Sequence, residues 1–569
     1  MYVSLNCRTV GDHHRAIQVG STMTMTGAQA LLGQILANGT DTIFGLPGGQ
    51  LDHFFDAMHK AGDKLRLFGT RHEQGAAYMA FGYARSTGKP GVYTVVPGPG
   101  VLNTTAALCS AYATNAPVLC LTGQIPSAGI GKGIGYLHEL PDQLATMRTL
   151  TKWADRAMTP DAAPALVNEA YRQMGGGRPR PVSLEMPMDV MGASADVALL
   201  PKAEIDRGPA LDDDAILRAA KLLSTARNPL IIAGGGAIAA GEALQELAAM
   251  LQAPVVSFRS GRGVISDRSP LSQMFPAGYE LWKQADVVIG LGSRMEQQYL
   301  YWKVPDHMKV IRIDIDQEEI DRIAPPAVAI HADAADAVPA LVAKLSGLLD
   351  RRASREDELR DLAARVRGDI EDRVQPQASY LAAIRAALPE DGYFVDEITQ
   401  VGYTSWYAFP VYEPRHLITC GYQGTLGYGY ATALGVKAAH PDKAVVNIAG
   451  DGGFLFTANE MATAAQHGIA LVTVLFNNNK FQNVQRQQRE WFGGRLIASD
   501  LKNPDFVKFA ESFGIRAERV YDPESLRRAV SAALERNEPA LIEVPCGDMA
   551  SPWPFIIRPP AFETQGEEA

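Results

Sequence analysis

Two short runs near the carboxyl end carry residue types suited to holding a metal ion and a phosphate together. The apolar run Ala444–Ile448 ends at Ala449-Gly450-Asp451-Gly452-Gly453, and the run Ile469–Phe476 ends at Asn477-Asn478-Asn479-Lys480-Phe481. Read as parallel strands joined by a helix that closes at His467-Gly468, both loops emerge at the carboxyl edge of one sheet, where open α/β sheets bind ligands. Asp451 and Asn478 then stand side by side, two oxygen donors at similar height. Gly450, Gly452 and Gly453 let the backbone approach a phosphate, and the helix that follows offers N–H groups and the positive end of its dipole. Carboxylate, amide oxygen, a main-chain carbonyl and diphosphate oxygens make a hard-oxygen shell, which suits Mg2+ and not zinc. Gly-Asp-Gly alone is a turn and Asn-Asn alone a loop. The pair, with 24 residues between Gly453 and Asn478, points to a site.

The elements that must position these residues come in three sets of alternating strand-like and helical runs. The first has strands at Thr42–Gly45, Leu65–Thr70, Gly91–Val96 and Pro117–Leu121, with helices at Ala28–Ala37, Gly75–Arg85 and Val101–Ala113. The second starts at Pro229, passes Ala285–Leu291 and ends with Val310–Asp314; the third runs from Tyr393–Asp396 to Ala540–Val544. Strand, helix, strand at this spacing means parallel sheets covered by helices. Polar joints lie at about 194–212 and 350–372; the second mixes both charge signs at helical spacing and reads as a solvated connecting helix. The expected fold class is therefore three consecutive parallel-sheet α/β domains at 23–193, 213–345 and 373–550. Residues 1–22 and 551–569 are read as tails, with Met23 or Met25 as possible natural starts.

Composition narrows the function. The 569 residues are 47% apolar and 20% charged, a balance that supports a large core. Lys plus Arg number 53 against 63 for Asp plus Glu, a formal charge of −10, which argues against a nucleic-acid partner. Cys7, Cys109, Cys120, Cys420 and Cys546 are scattered and form no metal-ligand spacing, so they read as buried thiols in a reducing compartment. No apolar run approaches the roughly 18 residues of a membrane span, and the segment around His13, His14 and Arg15 lacks a signal-peptide core. A cytoplasmic enzyme is expected.

The run GDGGF…LFNNNKF resembles the diphosphate-binding motif of thiamine diphosphate-dependent enzymes. Arg71-His72-Glu73-Gln74-Gly75-Ala76, Gly98-Pro99-Gly100, Thr122-Gly123-Gln124-Ile125-Pro126 and Gly424-Thr425-Leu426-Gly427-Tyr428-Gly429 extend the likeness, in order, from about Gly27 to Val544. They resemble the acetolactate synthase-like and 2-oxo acid decarboxylase branch. The resemblance implies a pyrimidine-binding, a central and a diphosphate-binding domain, with thiamine diphosphate between the first domain of one subunit and the third of another, in a homodimer or a dimer of dimers. It implies that Glu73 hydrogen-bonds the aminopyrimidine and so promotes loss of the thiazolium C2 proton. It makes Leu426 the apolar prop that bends the cofactor, gives Gly424 a carbonyl contact to the pyrimidine amino group, and assigns cofactor contacts to Pro47, Asn103, Gly402, Tyr403, Thr404 and Phe481. Asp451, Asn478 and the main-chain carbonyl of Lys480 would hold Mg2+. In the central domain, Gly234-Gly235-Gly236 is a weak dinucleotide fingerprint by itself. By resemblance the domain holds FAD, holds ADP or is empty; Arg294 and Asp333 fall at flavin contacts, with Asp314 and Asp316 as ribose partners or plain strand-end carboxylates.

Departures from the family bear on the substrate. His138-Glu139-Leu140 stands where acetolactate synthases carry Phe-Gln-Glu, which makes His138 and Glu139 candidate catalytic groups and His138 a candidate proton shuttle. Gln487 replaces an acceptor-selecting Trp, Asn483 a Met, and Gln482 begins the same polar run. The expected reaction makes or breaks a C–C bond next to the carbonyl of a 2-oxo acid or 2-hydroxy ketone. Carboligation after the manner of acetolactate synthases leads; a benzoylformate decarboxylase-like lyase is the alternative, followed by a flavin-dependent oxidase and a non-catalytic regulatory paralogue. With Gln487 and Asn483 lining the pocket, acetolactate formation from pyruvate should be poor.

Overall fold

The structure, a computed structural model, describes residues 20–206 and 208–562. Residues 1–19, with Cys7 and the His13-His14-Arg15 run, lie outside the described residues. Three six-stranded sheets form the frame, and every strand is parallel to its neighbours. The first sheet is laid out as Arg66–Gly69, Thr42–Gly45, Gly91–Val95, Val118–Gln124, Val182–Pro187 and Trp153–Arg156. The third is laid out as Leu417–Ile418, Tyr393–Val395, Val445–Gly450, Val472–Asn477, Ala540–Pro545 and Arg516–Arg519. Counting strands 1 to 6 along the chain within each, both sheets have the order 2-1-3-4-6-5, a repeat of topology that the sequence does not display. The central sheet has the order 3-2-1-4-5-6, that of dinucleotide-binding folds. In all three the order reverses beside strand 1, and the crevice at that reversal is where open α/β sheets take ligands.

The central strands form because their apolar runs can be buried on both faces. Val445–Gly450 is buried throughout except at Gly450, and Val118–Gln124 throughout. One apolar cluster spans the first and third sheets, joining Phe44 and Tyr93 to Val395 and Ala449. At its middle the helix Glu73–Thr87 crosses the helix Gly429–Ala439 so closely that side chains are excluded. A Cβ on Gly82 would lie 2.0 Å from the Thr432 carbonyl oxygen, and one on Gly435 would lie 2.0 Å from that of Met79.

Both ends of the described chain are held against the rest of the fold. Thr22–Thr26 is a strand, paired antiparallel with Ser194–Ala198, which uses the start of the first joint. Residues 551–562 pack on the central domain, where Phe555 and Ile556 enter its core and Ala561 N donates to the Trp302 carbonyl. The charged joint contains the helix Glu356–Arg373, anchored by buried Leu359, Val366 and Ile370. Among the described residues the four cysteines are free thiols, and no helix is long and apolar enough to cross a membrane.

Candidate functional site

The third sheet brings its candidate residues to one edge. Gly450 pairs in register with Phe476, so the turns after both strands leave the sheet together. Asp451 is 4% exposed, and burial pushes its pKa up against the pull of the Asn503 amide and nearby backbone N–H groups. Asn503 Nδ2 donates to Asp451 Oδ2 at 2.7 Å and also lies 3.1 Å and 3.2 Å from the side-chain oxygens of Asn477 and Asn479. Among the described residues no basic side chain forms an ion pair with Asp451, so a buried carboxylate is left without a cation. Asn478 engages the protein through its nitrogen, Nδ2 donating to Gln482 Oε1, which leaves its oxygen as the available ligand atom. The chain reverses at Asn479, whose φ is +56°, and the Lys480 ammonium is tied to Asp548 at 2.7 Å. No three His, Cys, Asp or Glu side chains among the described residues form a metal cluster. A cation here would take one carboxylate, amide and main-chain oxygens, and ligand oxygens.

The turn Gly452-Gly453 is roofed on both sides. A Cβ on Gly452 would meet the Phe481 ring at 2.3 Å, and one on Gly453 would lie 3.2 Å from Leu426 Cδ1. Gly424 is in the left-handed region, φ +58°. Gly402, Tyr403 and Thr404 follow the strand Tyr393–Val395, which pairs with Val445–Gly450. They lie within the helix Gln400–Ala408, where Tyr403 and Thr404 are buried and a Cβ on Gly402 would strike the Glu397 carbonyl. The helix begins at Gln400, where Thr399 Oγ1 accepts from Gly402 N and caps it. Thr399 therefore occupies the crevice, with Cγ2 2.9 Å from a Cβ placed on Gly450.

Two acids at this edge escaped sequence reasoning. Asp396 is 1% exposed, accepts from Trp406 Nε1 and the Tyr428 hydroxyl, and is pushed well above the carboxylate range by burial. Glu397 is fully buried and accepts from the N–H groups of Ile398, Gly427 and Gly429; burial raises its pKa to about 7 against those donors. An Asp-Glu pair directly after a strand was the available signal.

The first sheet gathers the other group. Glu73 opens the helix Glu73–Thr87, with His72 as its cap, and accepts from Asn103 Nδ2 at 3.0 Å. Glu460 is fully buried and accepts from the N–H groups of Arg71 and His72, which fastens this strand end to the segment following Gly453. Pro47 lies exposed in the turn after Thr42–Gly45. Gln50, from the same turn, reaches His138, its Oε1 lying 3.1 Å from Nδ1. The Glu139 carboxylate accepts from the N–H groups of Gly133, Gly135 and Tyr136 and so closes the loop it sits on.

The helix Gln482–Trp491 carries Gln482, Asn483 and Gln487. Gln482 links Asn478 to the Met549 carbonyl. Asn483 Oδ1 accepts from Trp553 Nε1 at 2.8 Å, so the carboxyl-terminal segment lies against this helix. Gln487 is half-buried. In the central domain a cleft of about 730 Å³ opens at the strand reversal, lined by Gly234, Arg259, Arg294, Asp314 and Asp333. Arg294 stacks on Tyr422 at 4.3 Å, while Asp316 is engaged by Arg178 at 3.1 Å.

Three family models match the chain. They describe the thiamine pyrophosphate enzyme N-terminal TPP binding domain at residues 25–146, the central domain at 216–341 and the C-terminal TPP binding domain at 397–544. The chain is 36% identical to a probable 2-ketoarginine decarboxylase of Pseudomonas aeruginosa, over 93% of this chain and 96% of that protein. It is 33% identical to a probable acetolactate synthase large subunit of Methanocaldococcus jannaschii, over 91% and 92%. It is 28% identical to the acetolactate synthase isozyme 1 large subunit of Escherichia coli, over 96% and 99%.

Proposed function

The chain belongs to the thiamine pyrophosphate enzymes, in the branch of acetolactate synthases and 2-oxo acid decarboxylases, and on that premise we propose that it decarboxylates a 2-oxo acid with a polar side chain. The buried, cation-free Asp451 and the side-chain-free turn beside it fit a Mg2+-bound diphosphate. When bound, thiamine diphosphate supplies an electron-accepting thiazolium ring and an aminopyrimidine. The protein's own tasks follow from its geometry. Asp451, the Asn478 amide oxygen and the Lys480 carbonyl hold the metal. The N–H groups of Gly450 to Gly453 receive the diphosphate, together with Thr399 and the start of the helix it caps, which carries Gly402, Tyr403 and Thr404. Leu426 props the ring junction and the Gly424 carbonyl meets the pyrimidine amino group. Glu73, oriented by Asn103, shares a proton with the pyrimidine ring nitrogen. His138, steadied by Gln50, moves a proton beside the reacting carbon, and Glu139 keeps its loop in place. A second copy of the chain completes each site, in a homodimer or a dimer of dimers acting in the cytoplasm. The central cleft is read as an adenine-nucleotide site for FAD or ADP, and a yellow protein would mark FAD.

The observation that carries the substrate reading is the amide-bearing face of the helix Gln482–Trp491, with Asn483 fixed by Trp553 and Gln487 where an apolar wall would be needed to seat a second 2-oxo acid. A guanidino or other polar 2-oxo acid suits it, as the name of the Pseudomonas relative also suggests. The test is a panel of 2-oxo acids, including 2-ketoarginine and pyruvate, each with and without an aldehyde acceptor, followed for CO2, aldehyde and ligated product. One aldehyde per CO2 with a polar substrate supports the reading. Faster acetolactate formation from pyruvate would replace it with carboligation, which the similarity to acetolactate synthases supports.

A further inference from the structure

Glu397 is a fully buried carboxyl with no part in the roles assigned above. Its Oε1 accepts from Ile398 N at 2.9 Å and Gly427 N at 3.1 Å, and its Oε2 accepts from Gly429 N at 2.8 Å. The first donor belongs to its own strand end. The other two flank Tyr428, in the segment that carries Leu426. That segment is held from the opposite side as well, since Thr457 Oγ1 donates to the Gly427 carbonyl at 3.0 Å. The same carboxyl reaches the glycine turn: a Cβ on Gly453 would lie 3.4 Å from Glu397 Cδ and 3.2 Å from Leu426 Cδ1. Glu397, Leu426 and the Gly452-Gly453 turn are thus one packed unit. An amide in place of the Glu397 carboxylate would turn a fixed NH2 donor toward at least one of these N–H groups.

We propose that Glu397 is a positioning residue that sets the height of Leu426 over the Gly452-Gly453 turn, and so the bend the cofactor adopts there. The proposal rests on the reading of Leu426 as the cofactor's prop. It requires the carboxylate to matter for cofactor geometry more than for cofactor affinity, since the Glu397 carboxylate is hydrogen-bonded to neither the metal ligands nor the proposed diphosphate donors.

The test compares wild type, Glu397→Gln, Glu397→Asp and Leu426→Ala. Three readouts are taken: thiamine diphosphate affinity with Mg2+ by calorimetry, C2–H to deuterium exchange of the bound cofactor by quenched NMR, and amide deuterium exchange of residues 421–430 without cofactor. In Glu397→Gln the cofactor should bind within about fivefold of wild type while C2 exchange slows by about tenfold or more, as expected when reacting groups shift by a fraction of an ångström. Amide exchange at Gly427 and Gly429 should rise about tenfold in the same variant, the order expected for one lost buried hydrogen bond. Glu397→Asp, which keeps the charge, should fall between. Leu426→Ala should slow C2 exchange to a similar degree with the Gly427 and Gly429 amides still protected, which keeps the test open should Glu397→Gln not fold. Unchanged C2 exchange in a folded Glu397→Gln or in Leu426→Ala overturns the proposal and leaves the cofactor site standing. A wild-type protein that does not bind thiamine diphosphate overturns the site itself and this proposal with it.

Discussion

The crossing of the helices Glu73–Thr87 and Gly429–Ala439 gives a prediction whose sign separates packing from propensity. On helix propensity alone, Gly82→Ala should stabilise the protein, by about 1 kcal/mol. The added methyl would sit 2.0 Å from the Thr432 carbonyl oxygen, a backbone atom that cannot rotate away. Ordinary C···O contact is about 3.3 Å, so the helices must part by about 1.3 Å at that level. Overpacking of this kind costs about 1–3 kcal/mol and more where backbone must move, so the net effect is a loss. Gly435→Ala meets the Met79 carbonyl at the same 2.0 Å and should behave alike. Glu73 stands at the amino end of the displaced helix, and misplacement by about 1 Å can cost about 10²-fold in rate. Urea unfolding followed by circular dichroism, with turnover of the folded fraction at saturating cofactor, reads both effects. Either variant unfolding at the same or higher urea concentration than wild type would refute the packing argument.

Glu73→Gln should leave cofactor affinity nearly unchanged and lower kcat by orders of magnitude at similar KM, since the group acts in the transition state; steady-state kinetics within a few-fold of wild type would remove Glu73 from its role. Asp451→Ala should abolish Mg2+-dependent cofactor binding, and Asn503→Ala, which frees Asp451 from its amide partner, should weaken binding about tenfold, both by calorimetry. Burial raises the Glu397 pKa to about 7 in the folded state against roughly 4.3 in an unfolded chain. A raised folded pKa means stability that is full below about pH 4.3 and lost as pH climbs to 7. Urea midpoints of Glu397→Gln relative to wild type should therefore rise between pH 5 and 7.5, and a flat difference would count against the burial.

Much of the scaffold is legible in the sequence because its inner strands are apolar on both faces. Thr42–Gly45 and Ala540–Pro545 stand where their apolar runs begin and end. Edge strands such as Trp153–Arg156 and Arg516–Arg519 are short and half-exposed, so polar residues interrupt any periodicity and nothing marks them. Asp451 and Asn478 are readable because adjacent parallel strands bring consecutive strand ends together. Asn503 touches Asp451 from 52 positions away, after a segment that doubles back along the helix Gln482–Trp491, and no local pattern announces that contact. Asp396 and Glu397 look like a solvated strand end until the tertiary fold buries them. For Glu73 and Leu426 only family likeness pointed the way, since an isolated Glu or Leu carries no spacing signal. The same likeness placed a diphosphate contact at Gly402 to Thr404, while the Thr399 cap that starts their helix at Gln400 becomes visible only in the fold.

The central claim, a thiamine diphosphate site closed by Mg2+ at Asp451, is tested most directly by titrating thiamine diphosphate into the wild-type chain by calorimetry, with Mg2+ and with chelator. One molecule bound per chain with Mg2+, and affinity lost on chelation, is the predicted result. No binding, or binding indifferent to the metal, would contradict it.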